Sequence, residues 1–260
     1  MDTLNRSKIN YLMSVWPNNT VATSSFFKSL GISNQLLAIY KKNNWVKSVG
    51  HGAYIKFSDT PNYKGALYAL QKQSCMTVHP GGKTALSLLG KAHYLELKVK
   101  RTFLFGQSKE KMPSWMKNYD WGIELDFNQT SFLPPTLGLI EYSVGEYTIL
   151  ISDTVRAFFE CLLMVPKEHD LVECFELLEG LNDLRPDKIN KYLSLCSSIK
   201  VKRLFLYLSE KADHQWFQYV DVEALDLGKG KRSLTHNGIY SNKYKITVPR
   251  ILKEYGKHVL

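Results

Sequence analysis

Asn34, Gln35, Ala38, Lys41 and Lys42 recur at the spacing that places residues on one side of an α-helix. Their chemistry suits the major groove of duplex DNA. Asn and Gln can make paired hydrogen bonds to an adenine edge, a small Ala admits close approach, and lysines hold flanking phosphates. An ordinary solvated helix face would carry the same residues, so the set needs a frame that would present it. Lys47, His51 and Lys56 follow in a segment suited to backbone contacts, although His51 is equally a loop histidine with no role.

Other constellations are thinner. Gly82-Lys83-Thr84 ends like a phosphate-binding loop, but the glycine that such a loop requires at position 77 is Thr77. Together with His79 and Gly81, the Gly82-Lys83 pair can form an anion-holding helix start; a tight strand-to-helix turn accounts for the same glycines. Near the end, Gly228-Lys229-Gly230-Lys231-Arg232 sets three cations in a glycine-rich loop, a candidate phosphate or acidic-partner surface whose plain alternative is a mobile basic turn. Glu124 and Asp126 alternate along one strand and could pair as a carboxylate site, or simply face solvent. The seven histidines stand in no metal-binding spacing, Cys75, Cys161, Cys174 and Cys196 form no ligand motif, and no serine elbow is present. Neither a cofactor nor a metal is therefore expected, and the cysteines are expected to be reduced packing residues.

The elements that must position the first set are legible. Ile9, Leu12, Met13 and Trp16 give one apolar helix face that Pro17 stops. Thr23 or Ser24 can cap a short second helix that ends at Gly31, and Ser33 can cap a third with Leu36, Leu37 and Tyr40 inward. Residues 45–49 and 53–57 alternate around the Gly50-His51-Gly52 turn as a hairpin. Three helices and a hairpin predict a winged helix-turn-helix over residues 1–60. Such modules bind DNA in most settings and dock proteins in others.

Residues 61–75 read as a linker helix, and residues 76–260 as a second domain in which strands (101–106, 122–127, 137–142 and 147–151) precede helices (153–164, 171–181, 188–197 and 201–209). The predicted class is α+β: an N-terminal winged helix-turn-helix, then a mixed α/β domain. Charge follows the same division. Residues 1–60 carry seven Lys/Arg against two acids and residues 228–260 eight against one, while the stretch between has nineteen against twenty-one. Basic segments are the electrostatic mark of a phosphate-backbone binder, and equally of a solubilising surface. No apolar run suits a membrane span and the N-terminus lacks a signal-peptide core, so a cytoplasmic protein without membrane contact is expected.

Three groups of motifs now bear on family. Val78-His79-Pro80-Gly81-Gly82-Lys83-Thr84-Ala85-Leu86, then Phe103-Leu104-Phe105-Gly106 with Pro113-Ser114-Trp115, then Leu227-Gly228-Lys229-Gly230-Lys231-Arg232 with Tyr244-Lys245-Ile246-Thr247-Val248-Pro249-Arg250, together resemble the AbiE-type antitoxin family. The resemblance implies a two-domain antitoxin of a type IV toxin–antitoxin system acting in abortive infection against phage. Its winged helix would repress its own operon at inverted repeats in promoter DNA. Its C-terminal domain would counteract a nucleotidyltransferase toxin without forming a stable complex. The resemblance matches no catalytic residue, and it puts the DNA role on Asn34, Gln35, Lys41 and Lys42 by position in the helix alone; Ser33 and Ala38 join them as DNA-contact candidates from the residue pattern. A metal-dependent nuclease using Glu124 and Asp126, and a protein-docking winged helix, remain the alternatives.

Overall fold

The computed structural model describes residues 3–91, 101–234 and 238–254. In chain order the elements are α1 (Thr3–Val15), β1 (Ala22–Thr23), α2 (Ser24–Ser29), α3 (Asn34–Lys42), β2 (Val46–Gly50), β3 (Ala53–Lys56), α4 (Tyr63–Tyr68), β4 (His79–Pro80) and α5 (Gly82–Leu88). Next come β5 (Arg101–Gln107), α6 (Ser114–Asn118), β6 (Glu124–Thr130), β7 (Leu139–Val144) and β8 (Tyr147–Ser152). Then follow α7 (Thr154–Met164), α8 (Leu171–Glu179), α9 (Pro186–Leu195), α10 (Ile199–Lys211), β9 (Arg232–Ser233), β10 (Ile239–Ser241), β11 (Ile246–Val248) and α11 (Arg250–Glu254). The architecture is α+β, as the sequence predicts.

The chain divides into two compact units, and neither is a single run of sequence. Residues 1–80, 98–129 and 140–151 make one; residues 81–97, 130–139 and 152–260 make the other.

In the first unit, Ile9 and Leu12 from α1 and Trp16 just after it meet Phe27, Ile32, Leu36, Leu37, Tyr40 and Val46 in one buried cluster. Trp16 and Tyr54 both set their rings edge-on against Phe27, at 5.5 and 5.4 Å. The hairpin β2–β3 gains a third strand that the sequence reading missed, since β1 pairs antiparallel with β3 through Ala22↔Tyr54 and Thr23↔Ala53. Two residues are too short for alternation to register.

The predicted linker helix is bound closely to this core. Ala66, Leu67, Ala69 and Leu70 are fully buried, and α4 continues as one π-type turn, Ala69–Gln73. That turn presents Gln73, whose amide accepts from Thr23 N at 2.8 Å and donates to Val21 O at 3.1 Å, so a side chain continues the β1 ladder. Gly65 lies so close to Asn19 O that an added Cβ would come within 2.1 Å of it. Two further sheets complete the unit, ordered β4-β5-β6 and β7-β8.

In the second unit α7 is the axis. Val155, Ala157, Phe158, Phe159, Cys161 and Leu162 are all buried, so the helix is apolar nearly all round and is covered by α5, α8, α9 and α10. Asp153 caps it, accepting from Arg156 N at 2.9 Å, at the cap position that the sequence predicts. A small sheet ordered β10-β11-β9 closes the unit, with Ile246 and Val248 buried beneath it.

Candidate nucleic-acid interface

Helix α3 is held at both ends by local chemistry. Gly31 adopts φ +70, a left-handed conformation that glycine reaches without steric cost, and Ser33 accepts from Leu36 N at 3.2 Å to cap the helix. Ser33 is thereby committed to the backbone. Leu36, Leu37 and Tyr40 turn into the core, which leaves Asn34, Gln35, Ala38, Lys41 and Lys42 exposed. Among the described residues, the side chains of Asn34, Gln35 and Lys42 engage no partner, and Lys41 Nζ lies 6.0 Å from the centre of the Tyr54 ring.

Beside α3 the hairpin tip Gly50-His51-Gly52 carries His51 exposed, with positive φ at Gly50 and Gly52. Lys47 Nζ sits 5.9 Å over the Phe57 ring, half-buried, with its ammonium on the hairpin surface. The hairpin is braced from behind. Trp115 of α6 packs on Gly50 so closely that a Cβ there would come within 2.6 Å of the Trp115 Cβ. Nothing local in the sequence signals that brace, because the partners are far apart in the chain.

Lys56 leaves the expected set. It is buried, its ammonium donates to Asn18 Oδ1 at 2.6 Å, and it lies 5.9 Å over the Trp16 ring. Asn18 in turn donates to the Glu146 carboxylate at 3.1 Å. Strict alternation puts Lys56 outward with Tyr54; instead Ala53, Ile55 and Lys56 are all buried, since the chain at Asn18 folds over the strand end.

The candidates around Gly82 also prove to be occupied from within. His79 is buried in β4, its Nδ1 lies 2.6 Å from Thr77 O, and its ring stacks on Phe105. It offers no surface to a partner, which corrects the expectation of an exposed phosphate or antitoxin residue. Gly81 and Gly82 open α5 as a tight turn, with Gly82 at φ +52, and the Gly82 N–H points at a carboxylate of the chain itself, donating to Glu160 Oε2 at 2.9 Å. Glu160 is fully buried, accepts from Ser152 Oγ at 2.8 Å and pairs with Arg156 Nε at 2.9 Å. The place an external anion would take is filled. Lys83, half-buried, pairs with Glu173.

The basic terminal loop is pinned down. Arg203, 1% exposed, donates to four carbonyls: Leu227 O at 2.6 Å, Gly230 O at 2.7 Å, Gly228 O at 2.9 Å and Lys245 O at 3.1 Å. A guanidinium has five donors in a fixed plane, so wrapping a loop round it satisfies the donors and fixes the loop. Gly228 takes φ +65 to make that bend. Lys229, Lys231 and Arg232 project outward, with Lys231 Nζ 5.3 Å over the Tyr240 ring. The glycines here serve enclosure of a cation rather than mobility.

Glu124 and Asp126 are both paired with Arg101, which lies 3.6 Å from the Glu124 carboxylate and closer to that of Asp126. A cation of the chain thus stands where a catalytic metal would have to. No cluster of His, Cys, Asp and Glu among the described residues could hold a metal ion. Cys161, Cys174 and Cys196 are buried free thiols and Cys75 is an exposed one.

Comparison with known proteins agrees with this frame. Residues 5–97 match the family described as "Transcriptional regulator, AbiEi antitoxin N-terminal domain", and residues 99–249 match "Transcriptional regulator, AbiEi antitoxin, Type IV TA system". No curated protein matches the chain. Among solved structures, the crystal structure of the RV2827C protein from Mycobacterium tuberculosis is similar with a TM-score of 0.56, covering 95% of this chain and 92% of that one at 10% identity. At that identity the likeness establishes the fold alone. Two matches that together span nearly the whole sequence establish more: the chain belongs to the AbiEi antitoxin family of transcriptional regulators of type IV toxin–antitoxin systems.

Proposed function

We propose that this chain binds double-stranded DNA in the promoter of its own operon, at inverted repeats, and represses transcription. In this reading α3 enters the major groove, where Asn34 and Gln35 read base edges, Ala38 admits close approach, and Lys41 and Lys42 hold phosphates. Lys47 and His51 on the hairpin meet the backbone. One observation carries it: the outward amides and cations of α3 are exposed together on a capped helix beside the hairpin, whereas Lys56 and Arg203 are bonded internally. Its second activity is to oppose a nucleotidyltransferase toxin without a stable complex, through the unit built on α7. The protein acts as a non-enzyme in the cytoplasm; no helix of the described residues is long and apolar enough to cross a membrane.

Fluorescence anisotropy on the labelled sequence upstream of the gene tests the first activity. Binding is expected to exceed that to a scrambled duplex by about 10³-fold or more. Gln35→Ala is expected to relax preference at one base position by roughly 1–3 kcal/mol. Equal affinity for the two duplexes would overturn the reading and favour a docking winged helix. For the second activity, a nucleotidyltransferase encoded beside this gene is expected to halt growth when expressed alone and not with this chain, and the two should elute separately on gel filtration. Cleavage of plasmid by the purified protein with a divalent metal, lost in Glu124→Gln, would instead support a nuclease.

A further inference from the structure

Ile39 breaks the polar character of the α3 outer face. It is 46% exposed, whereas the other large apolar residues of the helix, Leu36, Leu37 and Tyr40, are buried. It follows Gln35 by four residues and precedes Lys42 by three, so the three side chains form one ridge. By helical position it lies on the flank away from Lys41, the residue nearest the hairpin. A lone exposed apolar residue is ordinary on a protein surface. Here the neighbours decide otherwise, because any pose that brings Gln35 to a base edge and Lys42 to a phosphate also buries Ile39 in the groove.

What an isoleucine meets there is restricted. The major-groove edges of adenine, guanine and cytosine present donors and acceptors, and covering one of these with an aliphatic group leaves it unpaired. Thymine alone presents a methyl group. Four residues of helix advance about 6 Å, close to two base-pair rises of about 3.4 Å. We propose that Ile39 is a specificity-determining residue that packs on the 5-methyl group of a thymine about two base pairs from the pair read by Gln35. This deepens the DNA-reading role of α3 proposed above and rests on it.

The test removes methyl groups without changing base pairing. The duplex upstream of the gene is synthesised with thymidine and, separately, with deoxyuridine at every thymidine position, beside a scrambled duplex. Affinities are measured for the wild-type chain, Ile39→Ala and Ile39→Val, at salt low enough for each to bind, with thermal melts checking folding. The wild type is expected to bind the deoxyuridine duplex about four-fold more weakly for one contacted methyl and about fifteen-fold for two, one in each repeat. Ile39→Ala should bring the ratio close to one, and Ile39→Val should keep most of it.

A wild-type chain that prefers its own upstream sequence yet binds both forms alike overturns the role of Ile39 and leaves DNA reading intact. A chain with no preference over the scrambled duplex overturns DNA reading itself. An Ile39→Ala protein that keeps the wild-type ratio assigns the methyl to another group. One that is folded but loses all sequence preference, or changes its oligomeric state, gives Ile39 a different task. Either result overturns the proposal.

Discussion

Two parts of this molecule look alike in sequence and differ in the fold. The outer face of α3 and the segments around Gly82 and Gly228 all set cations or amides beside a turn-forming glycine. In the α7 unit the turns are bonded to the chain itself: Gly82 N–H to Glu160, Lys83 to Glu173, and the Gly228 and Gly230 carbonyls to Arg203, while Lys229, Lys231 and Arg232 stay exposed on their loop. On α3 the side chains of Asn34, Gln35 and Lys42 have no such bond among the described residues. A glycine-and-cation motif therefore points to a ligand only when its donors remain after the fold has satisfied its own buried polar groups.

The largest effect that would break this contrast is at Arg203. If the terminal loop is structural, Arg203→Met takes the guanidinium from three loop carbonyls and from Lys245 O, which keeps the Arg232 N–H, and should cost about 3–5 kcal/mol in urea unfolding. A loss under about 1 kcal/mol would mean that the loop is held by something else and that its glycines are there for a partner.

Acid should act next most strongly, again through the α7 unit. His169 is buried there, and burial first, then the Lys83 ammonium, lowers its pKa from 6.5 to about 4. Between those values the unfolded chain binds a proton that the folded chain does not, so stability is full above about pH 6.5 and falls as pH drops toward 4. At 1.36 kcal/mol per unit, the His169 contribution to that loss approaches about 3 kcal/mol. Urea midpoints compared between pH 7.5 and 4.5 for wild type and His169→Asn read this directly. The variant should lose less stability than the wild type over that range; equal losses would show that folding does not lower the pKa of His169.

How far the sequence could foresee this follows from the range of the interactions. The helix-turn-helix was legible because each of its signals is local: Thr23 and Ser33 as caps, Gly31 at positive φ, and Leu36, Leu37 and Tyr40 at helical spacing. Asp153 before α7 was legible for the same reason. What could not be foreseen depends on partners distant in the chain. Glu160 reaches back 78 residues to Gly82 and Lys56 reaches 38 to Asn18, so neither motif shows in sequence that it is already engaged. The two units interleave along the chain for a similar reason: β7 and β8 complete the winged-helix unit from residues that follow the second unit's opening helix. Ile39 did carry a local signal. It is the large apolar residue of α3 that falls outside the buried set, at a position its polar neighbours conceal.

The smallest predicted effect sharpens the contrast most, because it compares lysines of the same unit. Lys41 and Lys42 are exposed on α3, whereas Lys56 is buried against Asn18 and Trp16. If the first two neutralise phosphates, changing both to Ala should weaken binding to every duplex on the order of ten-fold at physiological salt. It should also reduce the slope of log K against log salt by about 2. Counterion release contributes little at 1 M salt, so the variant and the wild type should converge there. Lys56→Met should leave the slope where it was and show its effect in the melt, since a residue already bonded to the protein releases no counterion from DNA. A slope that falls equally for both variants would place Lys56 at the phosphates after all, and would mean that the bond to Asn18 opens when DNA arrives.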